Sequence, residues 1–99
     1  MDWESHQSVD RFFYGKDVNY VEVHKWLDET VWHHKDNPYK HWLDTHHKEA
    51  IYKKYGSYTI EYNVSYLHIL TDYLAHFQIA EVPQNKQDTE ILLKSIGVI

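Results

Sequence analysis

The fold is decided by the stretch from Asn19 to Gly56, which reads NYVEVHKWLDETVWHHKDNPYKHWLDTHHKEAIYKKYG. At its start, Asn19 and Glu22 have the spacing of a capping box. In that motif the Asn side chain accepts a free backbone N–H and Glu22 reaches back to the cap. This spacing predicts a helix that begins after Asn19 and continues to Asp36.

A second helix start lies inside the same stretch, at Asn37 and Pro38. Asn is a favourable N-cap, and Pro is tolerated at the first helical position because its missing N–H would have no partner there. The sequence therefore predicts a further helix from Pro38 to about Tyr55, which Gly56 ends as a left-handed C-terminal residue.

The segments on either side complete a small helical bundle. They add a first helix from Ser5 to Tyr14, a fourth helix from Asn63 to about Phe77, and a short final helix capped by Asp88 or Thr89. Near residues 57–64 the pattern alternates with the period of a strand, but a lone strand has no partner, so we expect one short extended segment. The predicted fold is mainly α, with about four helices plus a short C-terminal helix, in a single domain over residues 1–99.

Composition and charge exclude several classes of function. Ten Lys and Arg against fifteen Asp and Glu give a formal net charge of −5, which repels a nucleic-acid backbone. There is no Cys, which excludes disulfides, thiolate nucleophiles and Cys-ligated zinc. Neither a signal peptide nor a sufficiently long apolar run is evident, so we expect a cytoplasmic protein with no nucleic-acid and no membrane partner.

Histidine and aromatic residues are unusually frequent, with nine His, nine Tyr, four Trp and three Phe in 99 residues. In the predicted third helix, His46 and His47 fill a gap in the apolar stripe, so both imidazoles are expected to face the core. His24 has a similar position in the preceding helix. An unpartnered buried imidazole costs about 1–3 kcal/mol, so inward-facing His require acceptors, a ligand or a metal.

Two histidines stand four residues before an aspartate, which places both side chains on one helical face: His24 with Asp28, and His68 with Asp72. Three interpretations are open. Each pair forms a hydrogen bond within its own helix, or the imidazoles and carboxylates bind one divalent metal ion, zinc or iron by ligand type. Alternatively, they line a polar pocket for a small-molecule ligand, with Trp rings as stacking faces.

The candidate residues follow from these interpretations. Candidate metal ligands are His24, His46, His47 and Asp28, with His68 and Asp72 as secondary residues. Candidate ligand-binding residues are Tyr20, His24, Trp26, Asp28, Trp42, His46 and His47.

Three short motifs occur together: Phe13-Tyr14-Gly15-Lys16, the string His24-Lys25-Trp26-Leu27-Asp28-Glu29, and the pair His46-His47. In these motifs the chain resembles an uncharacterised family of small bacterial and phage proteins, a domain of unknown function, over most of residues 6–83. Ala50 stands where that family tends to have Gly, and the family's hairpin-like segment is shortened here to about residues 57–63. The resemblance implies a shared arrangement of His and Asp side chains and leaves the activity open.

Two functions are expected. One is a small non-catalytic binding protein with a site lined by His, Asp and aromatic residues, and the phage association of the resembled family implies that it sequesters a small nucleotide-type signal. The alternative is a metal-dependent hydrolase, in which His and Asp ligands hold an ion that lowers the pKa of a bound water. Sixteen aromatic residues are hard to bury in 99 residues, so a homo-oligomer is also expected.

Overall fold

The computed structural model describes residues 2–99, and within them the chain is helical with no strand. The α-helices are α1 (Trp3–Tyr14), α2 (Val21–Asp28), α3 (Trp42–Thr45), α4 (Lys48–Tyr55), α5 (Ile60–Phe77) and α6 (Lys86–Ser95). Two 3-10 helices cover Glu29–His33 and Pro38–His41. The mainly α fold predicted from the sequence is confirmed. No helix in the described part of the chain has the length and apolar character needed to cross a bilayer.

Helix α5 is the central element, since α1, α2 and α4 all pack against it, while α3 packs against α6. The buried hydrophobic residues are Val23, Leu27, Trp42, Ile51, Val64, Ile69, Tyr73, Val82 and Leu93. Buried polar residues are equally prominent: His6, Asp10, His24, His41, Thr45, His46, His47, Ser65, His68, Asp72 and Thr89. Burying a Leu or Ile side chain contributes about 1.5–3 kcal/mol. A polar group in the same interior adds to stability only if it has a partner.

The predicted third helix is interrupted at the two adjacent histidines. His46 leaves the helical conformation (φ −91°, ψ 52°), and His47 is extended (φ −152°, ψ 162°) and starts α4 as its N-cap. The first free N–H groups of α4, on Lys48 and Glu49, donate to the carbonyls of Pro83 and Gln84 at 2.9 Å each. The break is therefore stabilised by the segment that precedes α6, which a local pattern does not reveal.

The second predicted helix is also shorter than expected. It begins at Val21, whose N–H donates to the Asn19 side chain at 3.1 Å, but its α-helical part ends at Asp28 and continues only as a 3-10 helix to His33. Gly15 (φ 106°) and Gly56 (φ 74°) end α1 and α4, as predicted.

The extended segment expected near residues 57–64 is reduced to Thr59, because Ser57 and Tyr58 form a bend in which Tyr58 has a φ of 65°. Thr59 is the N-cap of that helix, because its hydroxyl oxygen accepts the N–H of Tyr62 at 3.0 Å, and Asn63 lies inside the first turn. The alternation that suggested a strand is therefore coincidental. Helix α6 likewise begins earlier than predicted, with Asn85 as its cap in place of Asp88 or Thr89.

Candidate metal centre

Three helices carry the same pair, a His followed four residues later by an Asp. The pairs are His6 and Asp10 on α1, His24 and Asp28 on α2, and His68 and Asp72 on α5. Residues four apart share a face of a helix, so the packing of α1 and α2 on α5 brings the three pairs together. Five of these side chains are buried, and that of Asp28 is 23% exposed.

Contacts between these side chains join different helices. The His24 Nε2–H donates to Asp10 Oδ2 at 2.6 Å, and the His6 Nε2–H donates to Asp72 Oδ1 at 3.1 Å. The hydrogen bond expected between His24 and Asp28 is therefore corrected, because the carboxylate that His24 contacts belongs to α1. These bonds link α1 to α2 and α5.

Four side chains, which we call the cradle, converge at one point: Asp28, His46, His68 and Asp72. The Oδ2 atom of Asp72 lies 3.1 Å from His46 Nε2 and 3.2 Å from His68 Nε2. The Oδ1 atom of Asp28 lies 3.7 Å and 3.4 Å from the same two nitrogens. Neighbouring ligand atoms around a tetrahedral zinc ion, with bonds of about 2.0–2.2 Å, are about 3.3–3.6 Å apart. The four imidazole–carboxylate distances are thus close to those of one metal coordination sphere, and the four ligand atoms all lie within 4.8 Å of one another.

The hydrogen bonds of His46 allow two tautomers. In one, the Thr45 hydroxyl donates to the Leu27 carbonyl at 2.6 Å, its oxygen accepts the Nδ1–H of His46 at 2.9 Å, and the Nε2 carries a lone pair that faces the carboxylate of Asp72. In the other, the Nε2–H of His46 donates to Asp72 Oδ2 at 3.1 Å.

The contact of His68 with His24 places a proton on the Nδ1 of His68. Because Asp10 accepts the Nε2–H of His24, the Nδ1 of a neutral His24 is an acceptor, and it receives the Nδ1–H of His68 at 2.8 Å. The Nε2 of a neutral His68 then carries a lone pair, whereas a protonated His68 carries an N–H there as well. This buried nitrogen has no hydrogen-bond partner, although the Asp72 carboxylate is 3.2 Å away.

Each carboxylate of the cradle is held by an N–H group at its second oxygen. The Trp3 indole N–H donates to Asp28 Oδ2 at 2.9 Å, and His6 holds Asp72 Oδ1. Metal-binding proteins commonly orient their ligands in this way, through hydrogen bonds to the ligand atom that does not contact the ion.

The electrostatics of the cradle favour a cation. Burial would raise the pKa of Asp72, but its contacts with the imidazoles of His46, His6 and His68 outweigh burial and lower it. The pKa of Asp28 is lowered in the same manner, against burial, by imidazole contacts. Burial lowers the pKa of His46 to about 4, so this imidazole is neutral at pH 7. Although burial opposes it, the two carboxylates raise the pKa of His68, so positive charge is stabilised at this position.

His41 lies beside the cradle. Its Nδ1–H donates to the carbonyl of Pro38, and its Nε2 lies 3.3 Å from Asp28 Oδ1. This imidazole therefore stands at the edge of the cradle.

The cradle adjoins a cleft of about 1050 Å³. Asp28, His41 and Asp72 form part of its wall. The aromatic residues that line it are Trp3, Trp26, Trp32, Tyr39, Trp42 and Tyr55. The cluster is therefore accessible from one side, unlike a closed structural metal site.

No protein-family model matches the chain, and neither a curated protein nor a solved structure shows significant similarity to it. The resemblance to a family of bacterial and phage proteins stays a prediction based on the sequence motifs.

The structure places the predicted site residues in three different environments. His46 and Asp28 belong to the cradle, together with His68 and Asp72, which the sequence suggested only as secondary residues. Trp26 and Trp42 line the cleft, and the Trp42 ring stacks on that of His46 with centroids 5.2 Å apart. His24 lies behind the cradle and contacts His68.

His47 and Tyr20 lie elsewhere. Both nitrogens of His47 are used by the backbone, since Nε2–H donates to the Leu43 carbonyl at 3.0 Å and Nδ1 accepts the Ala50 N–H at 3.2 Å. This corrects the assignment of His47 as a metal ligand, because neither nitrogen retains a lone pair for an ion. Tyr20 packs edge-on against Tyr14 and is outside the residues that line the cleft.

Four residues of the site were not predicted from the sequence: His6, Asp10, His41 and Trp3. The first two could have been found, because their spacing on α1 repeats that of the pairs on α2 and α5. No local signal marked His41 or Trp3, which reach the site only through the packing of the 3-10 helix and of α1.

Proposed function

We propose that the protein is a metal-dependent hydrolase whose divalent ion is bound by Asp28, His46, His68 and Asp72. The observation that carries this proposal is the convergence of two imidazole nitrogens and two carboxylates, whose Nε2–Oδ distances are 3.1–3.7 Å. When both imidazoles are neutral and present lone pairs, these four acceptors repel one another unless a cation lies among them. A ligand set of two nitrogens and two oxygens suits zinc or iron.

The chemistry follows from the open side of the cradle. A divalent ion held by these four side chains would take a water on the open side as a fifth ligand, and would lower its pKa so that it supplies a nucleophile near neutral pH. His41 stands on that side, with its Nε2 3.3 Å from Asp28 Oδ1. It is therefore the residue suited to take a proton from the nucleophile or pass one to the leaving group.

Metal content tests the proposal directly. Protein prepared without a His-tag is expected to contain about one equivalent of zinc or iron, and to hydrolyse aryl ester or phosphoester substrates only while the metal is present. Asp72→Asn should lose both properties. The matched control is His47→Gln. His47 is also buried, but both of its ring nitrogens are hydrogen-bonded to the backbone. The proposal would be overturned if neither the protein as purified nor the zinc-supplemented protein contained stoichiometric metal.

A second candidate function is a binding protein that holds a small nucleotide-type molecule without cleaving it. The observation that favours it is the size of the cleft and its six aromatic residues, which provide more surface than a metal-bound water requires. Mass spectrometry of a bound ligand after prolonged incubation with metal-loaded protein distinguishes the two functions. An intact ligand supports sequestration, and a cleaved ligand supports hydrolysis.

A further inference from the structure

All four tryptophans of the chain line the same cleft: Trp3, Trp26, Trp32 and Trp42. Trp42 is buried and belongs to the core, but Trp32 is 77% exposed and Trp3 is 39% exposed. Large indole surfaces in contact with water beside a polar cluster are typical of sites that stack a flat ligand. Core packing does not explain Trp32, because it contributes little buried surface.

The charges around the cleft indicate where a negative group would bind. Lys25 and Lys54 line it, and the Lys54 ammonium lies 5.7 Å from the centroid of the Trp26 ring. Glu22 and Glu29 line it as well, and Glu22 pairs with Lys25 at 3.6 Å. Asp28 and Asp72 also line the cleft, so its carboxylates outnumber its lysines. An ion bound in the cradle would offset these carboxylates, and oxyanions coordinate readily to a divalent ion.

The cleft is too large to be filled by a small anion such as phosphate alone. Its volume of about 1050 Å³ is at the upper end of small-molecule sites, whereas an isolated phosphate occupies only a small part of such a space. Much of the remaining wall is aromatic, and such side chains pack favourably against a planar aromatic ring.

We propose that the substrate combines a planar aromatic or heteroaromatic ring with an oxyanionic group, such as an aryl or nucleoside phosphate. The ring stacks in the cleft against Trp32, and the oxyanion occupies the open side of the cradle. This inference rests on the proposed metal centre and extends it to the class of substrate.

The test compares two phosphonates, which lack a cleavable ester bond: phenylphosphonate and methylphosphonate. Stacking of one ring on an aromatic side chain increases affinity by about 5- to 150-fold. Metal-loaded protein is therefore expected to bind phenylphosphonate at least about five-fold more tightly, measured by calorimetry and by quenching of tryptophan fluorescence. Trp32→Ala should remove this preference and leave the metal content unchanged.

Phe12→Ala is the matched control. Phe12 is an aromatic residue that is 84% exposed and outside the cleft, so its removal should leave the preference intact. Equal affinities in protein that contains metal would overturn the substrate class and leave the metal centre standing. A preference for phenylphosphonate in protein that holds no metal would refute the hydrolase and support the aromatic site. No metal together with no preference would refute both.

Discussion

Replacing Asp72 by Asn is expected to abolish metal binding. With lone pairs on His46 and His68 it should also stabilise the metal-free protein, whereas imidazole N–H groups that donate to the carboxylate, and so lower its pKa, would make the same change destabilising. The Oδ2 atom of Asp72 lies 3.1 Å and 3.2 Å from two imidazole nitrogens, on His46 and His68, that carry lone pairs. An Asn at this position places an amide NH2 group there, whose two hydrogens satisfy both lone pairs. Its carbonyl oxygen still accepts the Nε2–H of His6.

The size of the effect follows from two gained hydrogen bonds. Each contributes about 0.5–1.5 kcal/mol, so the free energy of unfolding should rise by about 1–3 kcal/mol in chelator. For a domain of this length, each kcal/mol raises Tm by roughly 4–8 °C. If the cluster consisted instead of charged His–Asp pairs, removing the carboxylate would cost about 3–5 kcal/mol. The sign of the change in Tm therefore separates the two electrostatic pictures.

Thermal melts in chelator at about pH 8.5, where ordinary imidazoles are neutral, measure this difference. Adding zinc at 100 times its Kd should then stabilise the wild type by about 2.7 kcal/mol and Asp72→Asn by nothing. Asp36→Asn is the control, because Asp36 is an exposed carboxylate paired with Lys40 and remote from the cluster. A lower Tm for Asp72→Asn in chelator would refute the lone-pair assignment, and a retained response to zinc would refute its role as a ligand.

Three further predictions concern residues around the cradle. Asp10→Asn should weaken metal affinity by about 10- to 100-fold in a chelator competition, because Asp10 fixes the tautomer of His24 and through it that of His68. Unchanged affinity would show that these two hydrogen bonds do not orient His68. His47→Ala should lower the free energy of unfolding by about 0.5–2 kcal/mol through loss of the α4 cap, at unchanged metal affinity, and a loss of metal would place His47 in the site after all. The metal-free protein should lose stability as the pH falls from about 6.5 to 4, because burial lowers the pKa of His46 to about 4 and the unfolded chain binds more protons. A Tm series that stays flat over this range would show that His46 is not desolvated.

The helix boundaries set by single residues were predictable from the sequence. Gly15 and Gly56 end helices in left-handed conformations, and the Asn37-Pro38 pair begins the 3-10 helix that leads into α3. The start of α5 was misplaced because Thr59, four residues before Asn63, is an equally good cap in a segment that also had the period of a strand. When two caps such as these are both locally acceptable, the start of the helix depends on which residues the rest of the chain buries.

The helix break at His46 and His47 is another boundary that the local sequence pattern did not predict. Continuous helical periodicity placed both imidazoles in the core, and both are buried. The reason differs from the one expected, since the helix stops at these residues and the segment from Pro83 to Gln84 pairs with the next turn. One histidine then turns to Asp72 and the other caps α4.

The helical character of the chain and the sharing of helical faces by imidazoles and carboxylates were predictable from residue spacing, because spacing along one helix is a local property. Which carboxylate each imidazole meets depends on how α1, α2 and α5 pack against one another, so it could not be read from any single helix. Packing joined His24 to Asp10, His6 to Asp72 and His46 to both Asp72 and Asp28, none of which lies on the same helix as its partner. The hydrogen bonds that aim two lone pairs at one point are a product of that packing.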